Sequence, residues 1–308
     1  MRAAVLHGPD DLRVQEVEEP QGDVIVEVRA ASACGTDRKM LRRGHPVLGG
    51  YPARFGHETA GVRLDTGARV LVGDSVACGA CGPCRSGRGA ICRAPTWVLG
   101  GFAERIAAPE AALHAVPDRL ELAGAAMAEP LAACVHAVGR GTDALDVAVL
   151  GGGAIGLMLA RLLILDERDV LVCDRHEERR AQAEALGARS APELGTHDLV
   201  FEAVGRVEAW EQAVAAARPG GTVVLVGGCP SGTTAELPTG SLHYDEVDLR
   251  GAFHHTREEV DRAIALLATG DVDWQALAGD VIGLEQLADA LRQPTSGEAR
   301  KSLVDPRQ

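Results

Sequence analysis

Apolar and polar positions change rhythm along the 308 residues. As far as about Gly73 the apolar residues come in short alternating runs: AAVL at Ala3 to Leu6, DVIVEVRAAS at Asp23 to Ser32, and GARVLVGDSV at Gly67 to Val76. Period-two alternation rich in β-branched residues, broken by Gly, Pro and Asp, predicts half-buried strands and a small β-rich domain. Another strand-like stretch covers Gly100 to Pro117, and a helical pattern begins near Leu122. From about Ala137 the alternation gives way to continuous apolar runs. These lie at Val147 to Leu150, before Asp174, at Asp198 to Gly205 and within RPGGTVVLVGG. Helical stretches separate them, among them HEERRAQAEALGA and one through Trp210 and Ala217. Buried strands alternating with helices predict an α/β fold with a doubly wound parallel sheet. The link from Gly187 to His197 is brief, so one crossover helix of a full sheet is expected to be missing. A last strand in LHYDEVDLRGAFHHT, a helix over Arg257 to Thr269 and a tail ending KSLVDP complete the pattern.

The second rhythm opens on a chemical motif. Val147 to Leu150 runs onto Gly151, Gly153 and Gly156, a G-x-G-x-x-G spacing followed by an apolar helical segment from Ala154 and a second strand that ends at Asp174. In a strand-turn-helix setting the first glycine permits a tight turn, the second lets backbone approach a pyrophosphate, and the third lets helix pack on strand. The helix N-terminus at Ala154 and Ile155 then holds the phosphates, and Asp174 accepts hydrogen bonds from a ribose. Arg175, Arg179, Val204 and Gly227 are further candidate cofactor contacts. The same stretch is apolar enough to suggest a membrane span, but Arg161, the triple glycine and the acids at both ends argue against one. Charges at Arg2, Asp10, Asp11 and Arg13 also fit no secretory leader, so a cytoplasmic protein is expected.

Composition narrows the partners. A formal charge of -13 disfavours nucleic acid and anionic membranes, and nine aromatic residues are too few for a base-stacking surface. A small-molecule partner remains. Four of the eight cysteines, Cys78, Cys81, Cys84 and Cys92, fall in one Arg- and Gly-rich segment. Four thiolates at this spacing point to a closed structural zinc site that staples a loop with almost no core of its own. An iron–sulfur cluster is the rival, but its motifs space the last cysteine differently and follow it with proline. Elsewhere Cys34-Gly35-Thr36-Asp37, Gly56-His57-Glu58 and Glu129-Pro130-Leu131 are each ambiguous alone, since a lone Cys or His is commonly a packed residue and Glu129 could be a first-turn helix acid.

Taken together and in order, CGTD at Cys34, GHE at Gly56, the four-cysteine lobe, EPL at Glu129, GGGAIG at Gly151, Asp174, PGGTVVLVG at Pro219 and KSLVDP resemble the zinc-containing medium-chain alcohol and polyol dehydrogenases, in the sorbitol and threonine dehydrogenase branch. The resemblance implies a GroES-like catalytic domain over residues 1–136, a Rossmann domain over 137–253 and a return to the catalytic domain over 254–308. It implies that Cys34, His57 and Glu129 hold a catalytic zinc (Zn2+) with a fourth position open, that Glu58 lies behind the metal or replaces a ligand, and that Asp37 orients the ligand histidine. Thr36 matches a proton-relay hydroxyl. Zinc lowers the pKa of an alcohol, whose carbinol hydride passes to the nicotinamide. Asp174 would repel a 2'-phosphate, so NAD is expected over NADP, although Arg175, Arg179 and Arg180 lie close by. A homodimer or homotetramer is implied, with the apolar strand near Val223 to Val226 compatible with edge pairing.

Two departures matter. Where many relatives carry a relay histidine this chain has Lys39, one of only two lysines, which is either a proton donor to substrate or part of a solvated basic face with Arg38, Arg42 and Arg43. The chain is also shorter than most relatives, with little sequence between Cys92 and Gly101, so an open pocket is expected; His254 and His255, after the final strand, read as an ordinary polar pair before an approach to the pocket or an interface. Beside a polyol, sugar or aminocyclitol dehydrogenase stand an amino-alcohol dehydrogenase like threonine 3-dehydrogenase and a non-catalytic NAD-binding protein with structural zinc alone.

Overall fold

The alternating runs near the amino terminus become strands Arg2–Gly8, Asp11–Glu16 and Val24–Ser32 in the computed structural model, which describes residues 1–293 and 297–308. Val24–Ser32 is the spine of the first unit, which comprises Met1–Pro130, residues 256–293 and Arg300–Gln308. It pairs antiparallel with Glu58–Arg63, placing Ser32 opposite Glu58. Arg105–Ala108 pairs with its first half and Lys301–Val304 with its last residues. The sheet order is Leu113–Ala115, Arg69–Val72, Glu58–Arg63, Val24–Ser32, Lys301–Val304, Ala278–Ile282. Alternate residues Val24, Val26 and Val28 face Val70, Val72 and Ile106 in one core cluster. Each such side chain contributes roughly 1.5–3 kcal/mol on burial. A second cluster joins Leu6, Met40, Leu41, Phe55 and Phe102 to Leu284, Leu287, Leu291 and Val304. Residues from Leu284 onward are therefore as central to this unit as its first strands.

The second unit, Leu131–His255 with residues 297–299, holds six parallel strands. Their order is Arg189–Ala191, Asp169–Cys173, Asp146–Leu150, His197–Glu202, Ala217–Leu225, Asp248–Gly251. Helices Ala154–Leu165, Glu177–Ala185 and Val207–Ala215 connect them. The brief link does lack a helix: it carries only the short strand Arg189–Ala191 before His197. The run at 223–226 does not lie at an edge. Ala217–Leu225 is hydrogen-bonded to His197–Glu202 on one side and Asp248–Gly251 on the other, so it has no free edge to offer a second copy. A continuous apolar run signals burial on both faces of a sheet, which is the property of an inner strand. Among the described residues no helix is long and apolar enough to cross a membrane.

Candidate functional site

The helix Gly35–Arg43 starts where the spine strand ends, and Cys34 is its N-cap. The Cys34 sulfur accepts from the Thr36 N–H at 3.2 Å, while Asp37 Oδ2 accepts from the Cys34 N–H at 2.9 Å. This reciprocal capping box fixes both side chains with ordinary helix chemistry. His57, one residue before strand Glu58–Arg63, points Nε2 at the Cys34 sulfur, 3.4 Å away. Its Nδ1 lies 3.3 Å from Asp37 Oδ1. The two approach as an ion pair but miss hydrogen-bond alignment, and both atoms are buried without a hydrogen-bond partner. Glu129, in the first turn of Ala128–Gly139, brings its carboxylate within 4.8 Å of donor atoms of His57 and Glu58.

Electrostatics at this cluster favour a cation. Packed chain and the nearby Asp37 charge push the Cys34 thiol above its ordinary range. Burial works against a charged His57, yet the charges of Cys34 and Asp37 outweigh it and hold the imidazole well above its usual value. Cys34 gathers with Asp37 and His57, and Glu129 with His57 and Glu58, so a thiol, an imidazole and carboxylates meet at His57, donors of the kinds that zinc takes. Nε2 faces the sulfur and Nδ1 faces Asp37, the arrangement that orients metal-binding histidines.

Glu58 faces a different partner. Its two carboxylate oxygens lie 2.9 and 2.8 Å from the Lys301 ammonium, and the Ser32 hydroxyl donates to it as well. Lys301 also donates to the Ala33 carbonyl at 3.3 Å. Burial pushes Glu58 up and Lys301 pulls it back, leaving it raised; burial lowers Lys301, but Glu58 and Cys34 raise it further. Both are thus held as a buried pair beside the Cys34 cluster. Sequence reasoning singled out Lys39 and missed Lys301, although their joint scarcity was a signal for both. Lys39 and Thr36 are half-buried on the capped helix. His45, the N-cap of the short turn Pro46–Leu48, was not singled out either; partial desolvation, then the charges of Lys39 and His57, hold its imidazole below the ordinary range.

Cys78, Cys81, Cys84 and Cys92 bring four sulfurs within 4.8 Å of one another. Cys81 is 3.4 Å from Cys84 and 3.9 Å from Cys92. A tetrahedron with Zn–S bonds of about 2.3 Å has sulfurs roughly 3.8 Å apart, so the lobe fits a closed four-thiolate site. Backbone N–H groups of Arg93 and Cys84 hold the Cys81 thiol down at about 6, while its hydrogen bond with Cys81 holds Cys84 up at about 12.

In the second unit, Gly151 ends the first parallel strand at φ +102, where a side chain would be strained. A Cβ on Gly156 would stand 1.8 Å from the Gly151 carbonyl oxygen, so the turn and helix Ala154–Leu165 close only on glycine. Gly153 caps that helix, leaving the first-turn N–H groups at Ala154 and Ile155 directed off its end. Asp174 is buried at the end of the next strand; its Oδ2 accepts from the Gly152 N–H and its Oδ1 from the His176 N–H, both at 2.8 Å. Arg179 lies 3.4 Å from Oδ2, and Arg180 donates to the Asp174 carbonyl. Arg175 is turned to His176, at 3.1 Å. Val204 is exposed beyond strand His197–Glu202, and Gly227 follows Ala217–Leu225 at the same end of the sheet. The glycine turn, Asp174, Val204 and Gly227 thus gather at the carboxyl ends of parallel strands, where open α/β sheets take their ligands.

Two family models match the chain: an alcohol dehydrogenase GroES-like domain over residues 20–118 and a zinc-binding dehydrogenase over residues 154–269. Sorbitol dehydrogenase of Bacillus subtilis (strain 168) is 28% identical, over 99% of this chain and 97% of its own. L-threonine 3-dehydrogenase of Chelativorans sp. (strain BNC1) is 29% identical, over 99% of this chain and 98% of its own. Among solved structures, one described as a zinc-binding dehydrogenase from Sinorhizobium meliloti 1021 bound to NADP superposes with a TM-score of 0.89, at 30% identity and 99% coverage of each chain.

Proposed function

The chain belongs to the zinc-containing medium-chain alcohol and polyol dehydrogenases, and we propose that it transfers a hydride between a secondary alcohol, of the polyol, sugar or aminocyclitol class, and NAD. The observation that carries this is the convergence of the Cys34 sulfur and His57 Nε2 at 3.4 Å, with Glu129 beside His57. On this reading Cys34, His57 and Glu129 hold the catalytic zinc, and Cys78, Cys81, Cys84 and Cys92 a structural one. Bound there, the catalytic ion supplies Lewis acidity that lowers the pKa of an alcohol hydroxyl. The nicotinamide supplies the hydride acceptor. The chain's own residues do the rest: Asp37 lies against His57 Nδ1, Lys301 supplies the counter-charge of the buried Glu58, and the Thr36 hydroxyl hands the substrate proton outward. Lys39, half-buried on the same helix as Thr36, is the second candidate for that outward path.

NAD rather than NADP is supported by the Asp174 carboxylate, which would repel a 2'-phosphate; Arg179, 3.4 Å away, offsets part of that charge. A reduced-thiol compartment suits eight cysteines none of which is in a disulfide, so we place the enzyme in the cytoplasm. A homodimer or homotetramer is proposed, with Asp248–Gly251 the sheet edge available for pairing. A second reading, amino-alcohol oxidation, is supported by the likeness to an L-threonine 3-dehydrogenase at 29% identity.

Zinc content of the purified protein, wild type against Cys34→Ser, tests the proposal. Two ions per chain falling to one, with NAD reduction by polyols or L-threonine lost, is the expected result. A single ion untouched by the substitution would instead mean a non-catalytic NAD-binding protein with structural zinc alone.

A further inference from the structure

Glu202 ends the strand His197–Glu202 and is wholly buried, yet no motif of the site uses it. One carboxylate oxygen, Oε1, accepts from the N–H groups of Val204 and Gly205, each at 2.7 Å. Its main-chain carbonyl accepts from the N–H groups of Val226 and Gly227, each at 2.9 Å. The Trp210 indole clamps the second turn from outside, donating to the Gly227 carbonyl at 2.9 Å. The turns 203–205 and 226–228 are therefore tied to one residue, and they touch: a Cβ on Gly227 would lie 2.2 Å from the Gly205 nitrogen and 2.8 Å from Glu202 Oε2. A third turn leans on the pair, because a Cβ on Gly151 would lie 2.7 Å from the Val204 side chain.

The remaining oxygen, Oε2, is buried with no hydrogen-bond partner. A carboxylic acid sealed from water with one oxygen unmatched is costly, and an apolar residue of similar volume would suit a purely structural position better. The three turns that Glu202 ties together lie at the carboxyl ends of the strands, where the cofactor is read to bind. We propose that Glu202 is a positioning residue for the nicotinamide dinucleotide, presetting the backbone of the Val204 and Gly227 turns against the Gly151 turn. This rests on the cofactor-binding reading above. Glu202 makes no contact with the cofactor; it acts through the N–H groups it holds.

Fluorescence titration of the intact zinc-loaded protein with NADH and NADPH tests it. Glu202→Gln keeps an acceptor for both N–H groups and is expected to bind the preferred dinucleotide within about threefold of wild type. Glu202→Leu loses the acceptor and is expected to bind at least roughly tenfold more weakly, the size of one or two lost hydrogen bonds. Its zinc content and urea midpoint should stay near wild type. Rescue by glutamine and not by leucine is the signature of positioning, because loss of packing alone would show in the midpoint. Should Glu202→Leu fail to fold, Glu202→Met, closer in length and likewise without an acceptor oxygen, is read in its place, and the same loss is expected. Wild-type affinity in whichever of these two variants is read, or a glutamine variant as weak as leucine, overturns the proposal. A wild type that binds neither dinucleotide overturns the cofactor reading beneath it, and the two failures are told apart by that control.

Discussion

Lys301 is 7% exposed and Glu58 1%, so each depends on the other for a counter-charge. Removing one partner of such a pair leaves an uncompensated buried charge, a loss of about 3–5 kcal/mol, whereas replacing both by apolar residues is often nearly neutral. Lys301→Met is therefore expected to lower stability by about 3 kcal/mol in urea unfolding, and Lys301→Met with Glu58→Leu to recover most of it. A double variant no more stable than the single one would show that the pair is not the unit. This contact was hidden from the sequence because its residues stand 243 positions apart and nothing local marks either as a partner. The place of Asp174 at the end of the second parallel strand, against the glycine turn, was legible by contrast, since it follows from its distance to the glycines. Asp174→Ser should raise the Kd for NADH and lower it for NADPH, shifting the ratio at least roughly tenfold, or about 1.4 kcal/mol. An unchanged ratio would assign the preference to the neighbouring arginines.

Helices, strands and loops repeat the contrast between local and distant causes. The four cysteines declare their loop by spacing alone, and the loop needs them, since only Pro83 and Ala90 are buried in its two short helical turns. Cys92→Ser should release one zinc per chain and open the segment to trypsin at Arg85, Arg88 and Arg93, visible as new fragments by mass spectrometry while the wild type stays intact. The inner position of Ala217–Leu225, however, could not be read from its own residues, because apolar content reports burial and not strand order. The amino ends of the parallel strands carry a charge network equally unmarked in sequence. Asp146 is 2.9 Å from His197 Nδ1 and 2.6 Å from Arg218. Burial alone would raise its pKa, but His197 and then Arg218 outweigh it and hold the carboxyl below its ordinary 3.8. A depressed carboxyl contributes stability in full above the unfolded value and loses it as pH falls through the folded one. The wild type should lose stability below about pH 4 faster than Asp146→Asn, with urea midpoints between pH 6 and pH 3 as the check; parallel curves would remove Asp146 from the account.

At the scale of the whole chain, fold class was legible because each half keeps one rhythm for long enough to be read: alternation through Asp23 to Ser32, continuous apolar runs from Val147 onward. What rhythm does not carry is closure. Residues 301–304 are a four-residue strand whose pattern could serve any edge, yet they sit between Val24–Ser32 and Ala278–Ile282, pairing Leu303 with Ser32 and with Val281. One strand thus supplies hydrogen bonds on both sides, a core residue in Val304 and the counter-charge for Glu58. Contacts joining Ala31, Ser32 and Glu58 to residues 301–304 close long loops, whose entropy is repaid only once the intervening sheet exists. A chain ending at residue 299 loses all of these at once, so it is expected to collect in the insoluble fraction or to keep no Cys34-dependent zinc. Lys301→Met in the full-length chain, which removes the charge and leaves the strand, should stay soluble. If the shortened chain kept the wild-type unfolding midpoint and both zinc ions, the closing strand would be a covering of the first unit and not part of its framework.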